Sequence, residues 1–323
     1  MPLPTAGDVH VNNLLTNVAV SYIQKAKNFV ADQVFPIVPV EKQSDRYVIY
    51  NKSDWFRDEA AERAPGTESA GGGYDVDTTP NYFCRKYAFH KDVDDEMRTN
   101  ADAPLTPERT ASRFVTQKLL IKRERMWASS FMDEVWGNNL KGIASSPGAG
   151  EFIKWSLSGG KPVKNVEAWK ELIESTTGYM PNVLVMAPDV LAALKDNPDI
   201  LDRIKYTQRG IITPEILASL FDLEKVVVPR GVIETAAKGA ASAVSRIVAG
   251  KILLCYAASE PSIEEPSAGY IFAWRGLLGS SAFGNRVKKF RMEELESDRV
   301  EGEMAFDPKL IAPDLGVYAS SVV

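Results

Sequence analysis

The sequence has few of the residues on which most active sites and metal centres depend. Its 323 residues include two histidines, His10 and His90, and two cysteines, Cys84 and Cys255. Cysteines this few and this far apart exclude a CxxC metal site and a disulfide framework. The motifs HExxH, GxSxG, GxxxxGK and GxGxxG are also absent, which removes sequence support for zinc hydrolases, serine hydrolases and the common nucleotide sites. We therefore expect no catalytic residue, no cofactor and no metal ion.

Long apolar runs and an excess of positive charge are missing as well. No run approaches the roughly 18 residues of a membrane span, and the first residues, MPLPTAGDVHVNN, lack the basic and apolar segments of a signal peptide. The 38 basic and 43 acidic residues give a formal net charge of −5, so a general affinity for the nucleic-acid backbone is not expected. Any partner that is attracted by charge must meet a local patch, and we expect no membrane partner.

Three features could indicate a chemical site, and each has a structural interpretation. The richest acidic cluster contains Asp92, Asp94, Asp95, Glu96, Asn100 and Asp102. It lacks the glycine and the final glutamate of a calcium loop, so a solvated turn before a helix is favoured over a cation site. His90 lies in an alternating stretch and reads as a strand-face residue, and Cys255 lies in an apolar run and reads as a small buried hydrophobe.

The N-terminal part of the chain is predicted to be an arm. Residues 18–30 keep roughly helical spacing, and Pro36 and Pro39 then remove backbone donors and hold the chain extended. We expect residues 1–40 to contribute little to the core of one subunit.

A long polar loop follows between two predicted strands at 46–51 and 81–90. Residues 54–77 carry seven acidic and two basic residues, a net charge of −5, together with three consecutive glycines at 71–73. Loops of this length within a compact domain are generally functional, so a long projecting hairpin is favoured over a buried connection. A solvated, undocked loop is the alternative, against which the rings of Trp55 and Phe56 argue.

A long helix is predicted over residues 107–136, with Pro107 as its start signal and Gly137 as its stop. About thirty residues at 1.5 Å each would span about 45 Å. Ala111, Phe114, Val115, Leu119, Met126, Phe131 and Val135 form its apolar stripe. Residues 107–127 carry six basic and two acidic residues, a net charge of +4.

Helices and strands alternate in the second half without an internal repeat. Helices are predicted at 163–177, 188–195, 198–205 and 214–221, and strands at 183–187, 225–229, 252–257 and 270–275. The strand at 225–229 is predicted to be buried, and residues 236–243 are predicted to form a loop rich in small residues. In residues 286–319, polar and apolar residues alternate in runs. The chain is therefore predicted to be of the α+β class.

Several phrases resemble a known family. Residues 181–195 (PNVLVMAPDVLAALK), residues 197–206 (NPDILDRIKY), the helix start at Thr213, a strand ending at Pro229 and residues 234–236 (ETA) resemble the apical domain of tailed-bacteriophage major capsid proteins, which have the Hong Kong 97 shell fold. Residues 306–316 (FDPKLIAPDLG) resemble the end of the same family. The resemblance implies an arm at 1–45, an extended loop hairpin at 46–91, a peripheral domain with a spine helix at 92–178, an apical domain at 179–268 and a return to the peripheral domain at 269–323.

The resemblance also implies a function and a set of contact residues. The family forms hexamers and pentamers that close an icosahedral shell around packaged double-stranded DNA, which is enclosed without sequence-specific binding. A scaffolding protein, a portal and a decoration protein are the further partners, and the protein would be assembled in the host cytoplasm and reside in the virion capsid. In the family the loop lies across the next subunit near its spine helix, which implies intersubunit contacts by Trp55, Phe56, Asp58, Glu59, Glu62, Arg109, Arg113, Lys118, Lys122 and Arg123.

Three alternatives stay open at this point. A cellular nanocompartment shell of the same fold would enclose a cargo enzyme in place of DNA. An enzyme that uses the acidic cluster at 92–96 is disfavoured, because no activating partner is visible. In the third alternative, the acidic loop contacts no neighbour and only keeps the chain in solution. The basic face of the long helix then faces the packaged DNA.

Overall fold

The computed structural model describes residues 23–101, 105–204, 212–262, 265–278 and 285–323. The elements of the first half are β1 (Ile37–Val40), β2 (Ser44–Arg46), β3 (Ile49–Tyr50), α1 (Lys52–Trp55), β4 (Val76–Asp77), β5 (Asn81–Phe83), β6 (Arg85–Asp94), α2 (Asp95–Asn100), α3 (Pro107–Phe131), β7 (Asn138–Ile143) and β8 (Glu151–Ile153). A short 3₁₀ turn, Ala26–Asn28, precedes them.

The second half alternates helices and strands, as its sequence pattern predicts. Its elements are α4 (Pro162–Thr177), β9 (Val183–Met186), α5 (Pro188–Asp196), α6 (Pro198–Ile204), α7 (Pro214–Leu220), β10 (Lys225–Val227), β11 (Val232–Glu234), β12 (Val244–Arg246), β13 (Ile252–Cys255), β14 (Gly269–Trp274), α8 (Arg275–Leu278), β15 (Asn285–Met292), β16 (Ser297–Leu310) and β17 (Gly316–Ser320). The mixture confirms the α+β class.

The first sheet has five strands and is organised around β16, a strand of 14 residues. Strand β6 pairs antiparallel along one side of β16, while β15 and β14 pair with successive parts of its other side. Strand β1 adds to β14 in parallel and forms an outer edge of this sheet. An edge position tolerates Pro39, because a proline there removes no ladder hydrogen bond.

The second sheet has six strands in the order β10-β9-β13-β17-β7-β8. Its central strands β9 and β13 are buried along their whole length, which matches their continuous apolar sequences. Helix α4 packs against this sheet, and the rings of Phe152, Trp155 and Trp169 lie together beneath it, with Trp155 and Trp169 stacked at 5.7 Å. The main hydrophobic core therefore lies between the six-stranded sheet and its helices.

Helix α3 contacts both the five-stranded sheet and the main core beside the six-stranded sheet, because its buried face winds around the helix axis. Five of its buried residues are spaced by multiples of four: Ala111, Val115, Arg123, Trp127 and Phe131. Four residues exceed one helical turn of 3.6, so each step of four rotates the buried position by about 40°. The first half of the helix consequently faces β6 and β16, while Trp127 and Phe131 reach the main core.

The expectation that residues 1–40 contribute little to the core was wrong for their second half. Five residues of this part are almost completely buried in the structure: Phe29, Val30, Ala31, Val34 and Phe35. The ring of Phe35 lies 4.4 Å from that of Phe131. The chain is extended as β1 from Ile37 onward, and the segment 29–35 directly before it is the buried part. Residues 29–40 are therefore part of the folded body.

Most predicted helices and strands are confirmed within one or two residues, and a few expectations need correction. The long helix ends at Phe131, five residues before the predicted end, and Phe114 and Val135 of its proposed stripe are exposed. The predicted helix at 18–30 is only a 3₁₀ turn within its described part. Residues 18–22 lie outside the described residues. Strand β10 is buried only at Val227.

Candidate assembly surfaces

The loop at 46–91 is a long hairpin that extends from the five-stranded sheet. Strand β2 pairs antiparallel with β5, and further out β3 pairs with β4, with Ile49 opposite Asp77. Beyond β3, residues 51–79 are exposed apart from Asp54. The hairpin is anchored at its base, where Tyr82 stacks on Phe272 at 4.6 Å. The predicted projecting hairpin is confirmed, and its outer part makes little contact with the body of its own subunit.

The outer hairpin carries an exposed aromatic cluster formed by Tyr50, Trp55 and Tyr74. The three ring centroids lie 5.7 to 6.0 Å apart. Trp55 is 62% exposed, Tyr74 is 61% exposed and the neighbouring Phe56 is 60% exposed. Rings that pack only against one another leave much apolar area in water, and contiguous patches of this kind mark interaction sites. Tyr50, Trp55, Tyr74 and the neighbouring Phe56 together form the aromatic patch.

The acidic stretch of the loop is partly organised by its own hydrogen bonds. Oδ2 of Asp54 accepts a hydrogen bond from the backbone N–H of Asp75 at 2.9 Å, which ties the two arms together. Arg57 lies 3.6 Å from Asp54 and 3.7 Å from Glu59. Within the described residues, Asp58 and Glu62 form no ion pair and are fully available to a partner.

The basic residues of α3 divide into two groups around the helix. Arg109, Arg113, Lys118, Lys122 and Arg125 are all exposed. At about 100° per residue, Lys118, Lys122 and Arg125 share one side, and Arg109 and Arg113 lie on the opposite side. Nζ of Lys122 lies 4.9 Å from the ring centroid of Tyr87, and Nζ of Lys118 lies 5.3 Å from that of Phe114.

Arg123 is not an exposed contact residue, which corrects the expectation for this position. Its side chain is buried, with 7% of the residue exposed, and Nη2 lies 3.3 Å from Oδ2 of Asp32. The position falls on the winding buried face of α3, where the N-terminal segment covers it. Arg123 therefore joins two parts of one subunit and is unavailable to the loop of a neighbour.

The hairpin and the basic face of α3 do not meet within one subunit. Among the described residues, no ion pair joins Asp58, Glu59 or Glu62 to the exposed bases of α3. Just beyond β3, the loop contacts the body of its own subunit through Lys52, whose Nζ lies 2.6 Å from Oδ2 of Asp314. The two surfaces of opposite charge are thus both free to contact another chain.

The acidic cluster at 92–102, His90 and Cys255 have structural roles where the structure describes them. Asp92 forms a two-point ion pair with Arg299 at 2.7 and 2.9 Å, and Asp94 caps α2 by accepting from the N–H of Met97. His90 is exposed on β6, as predicted, and Cys255 is buried. Asp102 lies outside the described residues. Across the described ranges, no group of three or more candidate ligands is placed to hold a metal ion, and no helix is long and apolar enough to cross a membrane.

A cleft of about 490 Å³ opens beside the six-stranded sheet. Its polar lining includes Asn182, Glu224, Tyr256 and Glu265. The Asn182 amide exchanges two hydrogen bonds of 2.9 Å with the backbone of Ala257, and the hydroxyl of Tyr256 donates to Glu265. Burial, the largest cause, and the bond to Glu265 both raise the pKa of Tyr256. A hydroxyl held protonated in this way is a poor nucleophile.

The chain is similar in sequence to a phage major capsid protein. No family model matches the chain. The major capsid protein of Burkholderia phage BcepMu is 24% identical over 326 residues, which cover 97% of this chain and 96% of that protein.

Solved structures share the fold over nearly the whole chain. A phage-related protein from Bordetella bronchiseptica RB50 has a TM-score of 0.68 at 22% identity and covers 93% of this chain and 94% of its own. The capsid of cyanophage P-SCSP1u has a TM-score of 0.61 at 10% identity, with 97% and 93% covered. The chain therefore has the Hong Kong 97-type shell fold of phage capsid proteins. A SrpI encapsulin from Synechococcus elongatus PCC 7942 has the same fold, with a TM-score of 0.58, 12% identity and 100% and 96% covered.

Two features of this chain were missed in the sequence. Tyr50 and Tyr74 complete the aromatic patch, although 24 positions separate them, because β3 and β4 bring the two arms of the hairpin together. Glu303, in the middle of β16, is fully buried among Lys86, Arg286 and Lys288. An acidic residue directly before the apolar run MAF was the only signal. Arg286 and Lys288 come from the preceding strand β15, whereas Lys86 comes from a strand far earlier in the sequence.

Proposed function

We propose that this capsid protein assembles with copies of itself into hexamers and pentamers, which close an icosahedral shell around double-stranded DNA. The protein acts as a structural subunit and carries out no catalytic step. The outer hairpin supports this proposal most directly. It exposes the aromatic patch and a net negative charge, and neither is covered by its own subunit. Extensions of this kind bury their surface only against neighbours.

The hairpin of one subunit docks on α3 of the next. Its acidic stretch, with Asp58, Glu59 and Glu62, meets the side of α3 that carries Lys118, Lys122 and Arg125. Arg125 takes the place of Arg123 in this contact, because Arg123 is buried. Each exposed ion pair contributes only about 0 to 1 kcal/mol. Complementary charge therefore acts mainly on partner choice and encounter rate, while the aromatic patch supplies buried apolar area.

Charge reversal tests this contact. The triple variant Asp58→Lys, Glu59→Lys and Glu62→Lys should assemble slowly or into aberrant particles, as seen by negative-stain microscopy and light scattering at low and moderate salt. Adding Lys118→Glu, Lys122→Glu and Arg125→Glu should partly restore normal shells, because the pairing is then reversed on both sides.

Two matched controls make the result specific. Replacing Glu167, Glu171 and Glu174 by lysine makes the same charge change on exposed positions of α4, and this variant should assemble normally. Adding Arg109→Glu and Arg113→Glu to the loop variant alters the opposite side of α3 and should not restore assembly. Normal assembly of the loop variant at every salt concentration would refute the docking contact. In that case the interpretation that the basic face serves packaged DNA would be favoured.

Scaffolding, portal and decoration proteins are the further partners that we propose, with assembly in the host cytoplasm. Co-expression with a candidate scaffolding protein should increase the yield of shells of uniform diameter. An unchanged distribution of diameters would remove the scaffolding partner from this proposal.

A nanocompartment that encloses a cargo enzyme is the second candidate, because an encapsulin shares the fold over the whole chain. Shells purified from their natural source distinguish the two. Phage shells should contain double-stranded DNA that is protected from nuclease. A single stoichiometric cargo protein and no protected DNA would favour the nanocompartment.

A further inference from the structure

Glu124 is a fully buried acidic residue that the proposed assembly contacts do not use. It lies on α3 with none of its surface exposed. One carboxylate oxygen, Oε2, accepts hydrogen bonds from the backbone N–H groups of Val30 and Ala31, both at 2.9 Å. These two amides belong to the buried part of the N-terminal segment. A single side chain therefore connects that segment to the long helix.

The other oxygen of the same carboxyl group is placed differently. Oε1 is also buried, and within the described part of the chain it has no hydrogen-bond partner. A buried carboxylate with one unpaired oxygen is costly as an anion. A proton on Oε1 would remove this charge and would leave both hydrogen bonds at Oε2 intact.

Charged groups on the neighbouring elements act on this carboxyl group in opposite directions. The pKa of Glu124 is raised to about 7, mainly by burial and in smaller part by Asp32, against the lowering effects of the Ala31 and Val30 hydrogen bonds and of Arg123. Arg123 lies on the same helix and pairs with Asp32 of the N-terminal segment. On the adjacent β10, Nζ of Lys225 contacts the carbonyl oxygen of Gln33 at 2.6 Å.

We propose that Glu124 is a proton-dependent latch, which holds residues 29–35 against α3 more tightly when its carboxyl group is protonated. When the segment detaches, the carboxyl group enters water, where its pKa returns to the ordinary value of 4.5. The attached state therefore binds the proton more tightly than the detached state. Attachment is strongest below pH 4.5, weakens as the pH rises from 4.5 to about 7, and is constant above that range.

Hydrogen exchange with mass spectrometry tests the latch on the full-length protein. After correction for the intrinsic exchange rates, protection of residues 29–35 should fall roughly 10- to 100-fold between pH 5 and pH 8. Glu124→Gln preserves the shape and the acceptor oxygen but cannot ionise, so its protection should not change with pH. Glu171→Gln, an exposed change on α4, should retain the wild-type pH dependence. All variants are compared in the same state of assembly.

A second variant keeps the test decisive if Glu124→Gln folds poorly. Asp32→Asn removes the negative charge that raises the pKa of Glu124, so the midpoint of the pH dependence should move to lower pH. Equal loss of protection in the wild type and in Glu124→Gln would overturn the latch. An Asp32→Asn midpoint that is unchanged or higher would overturn it as well.

Discussion

Glu303 and Arg286 face each other across the two neighbouring strands β16 and β15. Oε2 of Glu303 accepts hydrogen bonds from Nη2 of Arg286 at 2.6 Å and from Nε at 3.1 Å. Lys288 on β15 and Lys86 on β6 contact the other oxygen at 3.0 and 2.5 Å. Three cations from two strands thus surround one buried carboxylate at the centre of the five-stranded sheet.

Removal of the Glu303 charge should destabilise the subunit strongly. At pH 7, Glu303→Gln should lower the free energy of unfolding by about 3 kcal/mol or more, because three cations lose their buried partner. Guanidinium denaturation followed by circular dichroism measures this change. Glu301→Gln is the matched control, since Glu301 is partly exposed and, among the described residues, forms an ion pair with Lys288 alone. A loss no larger than that of the control would contradict the assigned role.

The lowered pKa of Glu303 predicts how the stability of the subunit changes in acid. Burial raises the pKa of Glu303, but the hydrogen bonds from Lys86, Arg286 and Lys288 outweigh it and lower the pKa to about 2. The stabilisation is therefore complete above pH 4.5 and is lost as the pH falls from 4.5 towards 2. The stability of Glu303→Gln should lack this component of the acid dependence.

Phe35 tests whether the N-terminal segment belongs to the core. Its ring contacts those of Phe131 and Trp136, and it is 2% exposed. Phe35→Ala should cost about 3 to 5 kcal/mol of stability. Val48→Ala, a change at a half-exposed position of the hairpin, should cost less than about 0.5 kcal/mol. A small effect of Phe35→Ala would restore the interpretation of this segment as a peripheral arm.

Both cysteines should be inert in the folded protein. Burial raises the pKa of Cys84 and of Cys255 to about 12, so almost no thiolate exists at pH 8. A chromogenic disulfide reagent should label neither residue in the native state and both after unfolding in guanidinium. Rapid labelling of one thiol in the native protein would show that its strand opens locally.

Local signals in the sequence were enough to place most helices. Helices α3 to α7 each begin with a proline: Pro107, Pro162, Pro188, Pro198 and Pro214. The first position of a helix needs no N–H donor, so these prolines mark true starts. Gly178, which ends α4 in the left-handed conformation with φ of 74°, is equally local. Such elements are encoded within a few residues and can be read without knowledge of the fold.

The hairpin and its acidic stretch could also be predicted from the sequence, because alternating strands and an unusually long polar loop are properties of neighbouring residues. The resemblance of short phrases then supplied the shell fold, which the structure bears out. The aromatic patch was only half visible. Trp55 and Phe56 are adjacent in sequence, whereas Tyr74 reaches them only through the pairing of β3 with β4.

Burial of individual charged and apolar residues was decided by tertiary structure. The sequence alone determined that α3 is long and basic, but the single apolar stripe that it predicted does not show how the buried face winds from the five-stranded sheet into the main core. That winding buries Arg123 and Glu124, and it covers them with a segment more than 90 positions earlier in the chain. Whether a side chain is exposed depends on what packs over it. When the covering segment is distant in sequence, no local pattern records the contact.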